Sequence, residues 1–110
     1  MSDIPNPHRG EVPLALGGQV YRLRPSFTAL AETEAMAGCG LVPLARRFLD
    51  GSYGLRDVVA VLVPALKAAG HGEAAVGQMV IDAGLLKAAP ACAALLAAAL
   101  APGRELPNPL

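Results

Sequence analysis

The sequence predicts an α+β fold, with an N-terminal β-hairpin packed on a small bundle of four to five helices. A Gly-Gly pair, Gly17 and Gly18, separates two short segments that contain alternating apolar residues. Through most of the remaining chain, apolar residues recur at helical spacing. Glycines and prolines divide that part into segments of helical length. With 110 residues, a single domain is the default, and we expect it to span residues 10–101.

The hairpin is expected over residues 11–24, with the two glycines as its turn. Both residues of a type I′ turn have positive φ, which glycine adopts at little cost. This turn fixes the register and places Val12 opposite Leu23. The hairpin then has one mainly apolar face, formed by Val12, Leu14, Tyr21 and Leu23. Because a lone hairpin is only marginally stable in water, this face needs cover, which we expect the first helix to provide.

The first two helices are predicted from their end signals and apolar spacing. Ser26 is the expected N-cap of the first helix, and Gly38 follows its end in a left-handed conformation. The apolar stripe of this helix is expected to be Phe27, Leu30, Ala31 and Ala35. The second helix is expected over Leu41–Asp50, with Pro43 in its first turn, where proline is tolerated, and with Arg46 and Arg47 pointing away from the core.

The third helix is predicted over residues 55–69, but its centre is ambiguous. Residues 58–63, VVAVLV, are also typical of a buried strand. Pro64 does not decide between them, because it would kink a helix and also end a strand. The apolar stripe continues to Leu66, which favours the helix. A fourth helix is expected over Glu73–Ala83, and a last one over residues 85–101, which Pro90 either splits or begins.

The last helix is expected to carry a partner-binding surface. It has no charged residue beyond Lys87, whereas a surface helix of a monomer normally has a polar face. We expect the core side to be Leu85, Cys92, Leu96 and Ala99. The candidate partner surface consists of Ala94, Leu95 and Ala98, because an exposed apolar patch marks a partner site. In the alternative interpretation, an N-terminal arm, residues 1–9, or a C-terminal tail, residues 102–110, folds over this surface.

Charge and residue types disfavour several classes of function. Nine basic and nine acidic residues give zero net charge, whereas a dedicated nucleic-acid binder needs a basic face. The two histidines, His8 and His71, lie in the arm and in a Gly-flanked turn, and neither forms a recognisable nucleophile–base pair. Cys39 and Cys92 are expected to be free thiols in a reducing cytoplasm. We expect no enzyme activity, cofactor or metal, no signal peptide, and no nucleic-acid or membrane partner.

Several segments together resemble the gene transfer agent tail protein family. They are NPHRGEV at residues 6–12, Gly17-Gly18, YRLRPSFTALAETEAMAG, and LARRFLDGSYGLRDVVAVL. The resemblance covers residues 6–100. The sequence departs from the family pattern at Ala37-Gly38, where members typically have Thr-Gly. It also departs in the last helix, where members often have charged residues. Neither departure touches a catalytic position, because the family is not known for one.

The resemblance implies a small non-enzymatic protein from a prophage-like cluster. The family is related to phage tail-assembly chaperones, which coat the tape-measure protein, although some descriptions call it a tail tube protein. The expected partners are therefore the tape-measure protein, other tail proteins or a second copy. A chaperone would be cytoplasmic, and a structural tail component would be in the particle. A third hypothesis is a helical DNA-binding regulator, with residues 41–66 as a helix-turn-helix. The small number of basic residues in the third helix argues against it.

Overall fold

The structure is a computed structural model, which describes residues 11–67 and 70–101. It confirms the α+β class, with an antiparallel hairpin followed by five helices. The elements in chain order are β1 (Val12–Leu16), β2 (Gln19–Leu23), α1 (Phe27–Ala37), α2 (Leu41–Asp50), α3 (Leu55–Leu66), α4 (Glu73–Ala83) and α5 (Leu85–Leu100). The expected arm, residues 1–9, and tail, residues 102–110, lie outside the described residues.

The hairpin has the predicted turn and register. Gly17 and Gly18 have φ values of 61° and 81°, as a type I′ turn requires. Val12 pairs with Leu23 and Leu14 with Tyr21. The buried residues of the hairpin are Val12, Leu14, Leu16 and Leu23, and Tyr21 is half-buried. The register therefore directs the apolar face into the core.

The elements that cover this face differ from the prediction. β1 packs on α5 and α4, and β2 packs on α3, whereas α1 packs mainly on α3 and to a smaller extent on α2. The expectation that the first helix covers the hairpin was therefore wrong. Sequence adjacency suggested that contact, but α1 packs on α3 instead, and the C-terminal helices α4 and α5 pack on β1.

The predicted apolar stripe of α1 was also wrong for most of its residues. Phe27 is 87% exposed, and Ala31 and Ala35 are exposed too, while Leu30 is half-buried. The buried residue is Thr33, whose hydroxyl donates a hydrogen bond to the carbonyl oxygen of Ala29 at 3.1 Å. This bond lets a threonine face the core without an unsatisfied polar group. Met36 and Ala37 complete the packed side.

α3 is the central element of the fold, and its ambiguous segment 58–63 is helical. Every residue from 57 to 64 is buried, because α3 packs on α1, α4, α5 and β2. A helix that is surrounded in this way is apolar on all sides, which explains why its sequence also resembles a buried strand. Pro64 lies inside the helix, which spans Leu55–Leu66, and residues 68–69 of the predicted helix lie outside the described residues.

A buried carboxylate joins the start of α3 to α2. Asp57 accepts hydrogen bonds from the backbone N–H of Gly54 at 2.9 Å and from the guanidinium of Arg47 at 2.6 Å. Phe48 of α2 also stacks on Tyr53, which precedes α3, with ring centroids 4.9 Å apart. The expectation that Arg47 points away was therefore wrong, because its side chain reaches the one buried carboxylate of α3.

Candidate functional site

The candidate site lies on α5, whose two sides differ in exposure but hardly in polarity. The side that faces the protein consists of Ala88, Ala89, Cys92, Leu95 and Leu96. The opposite side, which we call the α5 outer face, consists of the exposed residues Leu86, Lys87, Pro90, Ala94, Ala97 and Leu100. Leu86 is 79% exposed, and Lys87 is the only charged residue of the helix. A helix with an apolar face in solvent is typical of a partner surface.

The three predicted surface residues are placed differently from one another. Ala94 is exposed at the centre of the α5 outer face, and Ala98 is half-buried at its border. Leu95 is only 2% exposed and belongs to the core, so its expected exposure was wrong. One residue turns a helix by about 100°, so Leu95, three residues after Cys92, faces the same side as that thiol. Whether Ala94 and Ala98 bind a partner stays a prediction.

The sequence interpretation missed the other residues of this face. Leu86, Pro90 and Ala97 lie at positions −8, −4 and +3 from Ala94, which is the spacing of one helical face. Counting at that spacing from Ala94 would have found them. The predicted set instead combined Ala94 and Ala98 with Leu95, which lies on the buried side of the helix.

Two grooves run beside the α5 outer face. A groove of about 220 Å³ lies between α2 and α5, and no charged side chain lines it. Its lining residues are Ala45, Leu49, Ala93, Ala97, Leu100 and Ala101. A second groove of about 370 Å³ lies between β1 and α5 and contains Pro13, Lys87, Pro90 and Ala94. The exposed face and its grooves together form one continuous surface with a single cation, Lys87, along α5.

The β1 side of this surface is a poor template for strand addition. Hydrogen-bonded and non-hydrogen-bonded pairs alternate along an antiparallel hairpin, and Pro13 forms a non-hydrogen-bonded pair with Arg22. The nitrogen of Pro13 therefore points away from β2, to the free edge of the hairpin. Proline has no N–H, and it therefore removes a donor from that edge.

Tyr21, His71 and Cys92 are titratable residues that pack against other parts of the protein. The hydroxyl of Tyr21 lies 3.1 Å from Nε2 of His71, and the two rings meet edge to face. Burial of Cys92 raises the pKa of its thiol to about 12, so the thiol is protonated at neutral pH. Among residues 11–67 and 70–101, no three His, Cys, Asp or Glu residues are placed to hold a metal ion.

No single helix in the described part of the chain is both long enough and apolar enough to span a membrane. α4 and α5 meet the criterion only when they are joined, and they are bent by 118° where they meet.

The sequence also matches a known protein family. A family model described as "Phage tail tube protein, GTA-gp10" matches residues 9–102, which include the hairpin, all five helices and the α5 outer face. No curated protein and no solved structure shows significant similarity to the chain. The match spans most of the sequence, and the chain therefore belongs to the gene transfer agent family of phage tail tube proteins.

Proposed function

We propose that this tail protein is a tail-assembly chaperone, which holds apolar segments of the tape-measure protein on the α5 outer face until the tail forms. The family places the chain among tail proteins. The observation that carries the finer proposal is the exposed side of α5, where Leu86, Pro90, Ala94 and Ala97 face solvent and Lys87 is the one charged residue. A chaperone needs such a surface, because it must cover apolar side chains before their permanent partners are present.

The chemistry of the surface favours a helical segment as the bound form. An extended segment would bury backbone N–H and C=O groups against alanine and leucine side chains, which offer no hydrogen bonds. A helix satisfies those groups internally. Ala94 and Ala97 are also small enough to let a second helix axis approach closely, and the groove between α2 and α5 accommodates larger side chains beside them.

As a chaperone the protein would be non-enzymatic and would act in the cytoplasm, where tail proteins are made. Its function would then require only reversible burial of apolar area. The buried Cys92 thiol and the Tyr21–His71 pair have roles in packing under this proposal.

A permanent tail component is the second candidate, and the family description, which names a tail tube protein, favours it. In that case the α5 outer face would be covered by a neighbouring tail subunit in the finished particle. Mass spectrometry of purified particles separates the two candidates. A chaperone would be absent from them, and a tail component would be present in stoichiometric amounts.

The DNA-binding hypothesis finds less support in the geometry. A recognition helix must present a face to the major groove. In α3, residues 57–64 are buried by other elements of the chain. α2, its partner in the supposed helix-turn-helix, packs mainly on α5.

Co-purification tests the chaperone proposal. The chain is produced together with the tape-measure protein, and the variant Ala94→Glu/Ala97→Glu is compared with Ala75→Glu/Gln78→Glu, which places the same charges on the exposed side of α4. We expect both variants to keep their helical circular dichroism. Only the α5 variant should lose the tape-measure protein and leave it insoluble. Equal binding by both variants would contradict the proposed surface.

A further inference from the structure

The structure has a third groove, which shares no lining residue with the α5 outer face. It has a volume of about 270 Å³, and α1, α3 and α4 contribute to its walls. Its apolar lining includes Met36, Val59, Ala74 and Gly77. Arg56 on α3 and Glu73 on α4 are its two charged residues, and neither forms an ion pair with another described residue. We call it the α3–α4 groove.

Gly77 is the unusual residue of this groove. It lies inside α4, does not have a positive φ, and a Cβ added to it would meet no atom within 4 Å. Neither the backbone conformation nor internal packing therefore requires glycine. In a helix interior, glycine is less favourable than alanine by about 1 kcal/mol. The missing side chain leaves a gap in the groove wall that a side chain from outside can fill.

The outer face of α2 carries side chains whose apolar character and charges complement those of this groove. Val42 and Leu49, seven residues apart on one side of α2, are 53% and 84% exposed. Arg46 and Asp50, one helical turn apart, lie beside them, and neither forms an ion pair with another described residue. This face thus offers large apolar side chains together with one charge of each sign. The α3–α4 groove offers an apolar floor together with one charge of each sign.

We infer that a second copy of this chain docks the outer face of its α2 in the α3–α4 groove. Leu49 of one copy packs at Gly77 of the other, Arg46 faces Glu73, and Asp50 faces Arg56. The zero net charge of the chain removes long-range repulsion between copies. Since two different surfaces meet, the contact is heterologous, and repetition of it generates a ring or an open chain of subunits.

This inference goes beyond the proposed chaperone function and does not use the α5 outer face. The two can fail separately, because self-association is measured without any tape-measure protein. The variants on α2 are placed at its charged residues, so that Leu49, which also borders the groove between α2 and α5, is left unchanged.

Sedimentation velocity of the full chain over a wide range of concentration tests the inference. We expect concentration-dependent association that Gly77→Leu weakens by at least about tenfold in Kd, because leucine fills the gap. Its matched control, Ala75→Leu, places the same side chain on the other exposed side of α4 and should associate as the original chain does. A chain that is monomeric throughout the range, or equal effects of the two leucines, would overturn the inference.

Charge reversal gives a second test that does not depend on Gly77. Arg46→Glu/Asp50→Arg and Arg56→Glu/Glu73→Arg should each weaken association, and one chain carrying all four changes should regain it. A mixture of the first variant with Gly77→Leu should stop at dimers, since only one intact contact joins the two chains. Continued growth of the mixture, or no recovery in the fourfold variant, would refute the α2–groove pairing.

Discussion

α3 and α5 are both almost uncharged along most of their length, yet they differ in their relation to solvent. In α3, every residue from 57 to 64 is buried by α1, α4, α5 and β2. In α5, only one side is buried, and the outer face from Leu86 to Leu100 stays in solvent. An uncharged helix needs cover on all sides. Among residues 11–67 and 70–101, the chain supplies this cover for α3 but not for the outer face of α5.

A charge introduced into each helix should give the largest difference between them. Val61 in α3 is buried, and Val61→Glu should lower the free energy of unfolding by more than about 4 kcal/mol, because the carboxylate has no partner there. Ala94→Glu in α5 should change it by less than about 0.5 kcal/mol, because Ala94 is exposed. Urea unfolding followed by circular dichroism measures both. If Ala94→Glu also unfolds the protein, the α5 outer face belongs to the core.

Truncation in the hairpin extends the comparison to the strand that packs on α3. Leu23 is buried, so Leu23→Ala should cost about 2–4 kcal/mol through lost burial and the cavity left behind. Its neighbour Arg22 is exposed, and Arg22→Ala should cost less than about 0.5 kcal/mol. Denaturant melts of the two variants are compared under the same conditions. Equal losses would mean that the register is shifted by one residue.

An effect that is confined to high pH should appear on the buried side of α5. The unfolded Cys92 thiol ionises near pH 9.0, whereas burial raises the pKa of the folded thiol to about 12. The contribution of this thiol to the free energy of unfolding is therefore fully present below pH 9.0. It declines by about 1.4 kcal/mol per pH unit as the pH rises towards 12. Comparing the chain with Cys92→Ala isolates this decline. Parallel pH profiles would show that the thiol is accessible in the folded state.

Local chemistry made most element boundaries predictable. The Gly17-Gly18 turn requires positive φ, and the Ser26 hydroxyl accepts a hydrogen bond from the Ala29 N–H at 3.2 Å as an N-cap. Gly51 ends α2 in the left-handed conformation. Each of these features depends on a few neighbouring residues, so the sequence alone contains the necessary information.

The facing directions of α1 and α5 were less predictable, because they depend on tertiary contacts. α1 has alanine on several sides, and its buried Thr33 became acceptable only through a bond to its own backbone. α5 is apolar all round, so no polar stripe marked its exposed side, and Leu95 was assigned to the wrong one. A lack of charge identified the helix that carries the candidate site, but only the packing against β1 and α2 identified its outer face.

Site-specific photo-crosslinking tests the central claim most directly. A photoreactive amino acid is placed at Ala94 on the α5 outer face, or at Ala75 on α4 as a control, in cells that also produce the tape-measure protein. The account expects a crosslink to the tape-measure protein from position 94 and none from position 75. Crosslinks from position 75 alone, or from neither position while the two proteins still co-purify, would contradict it.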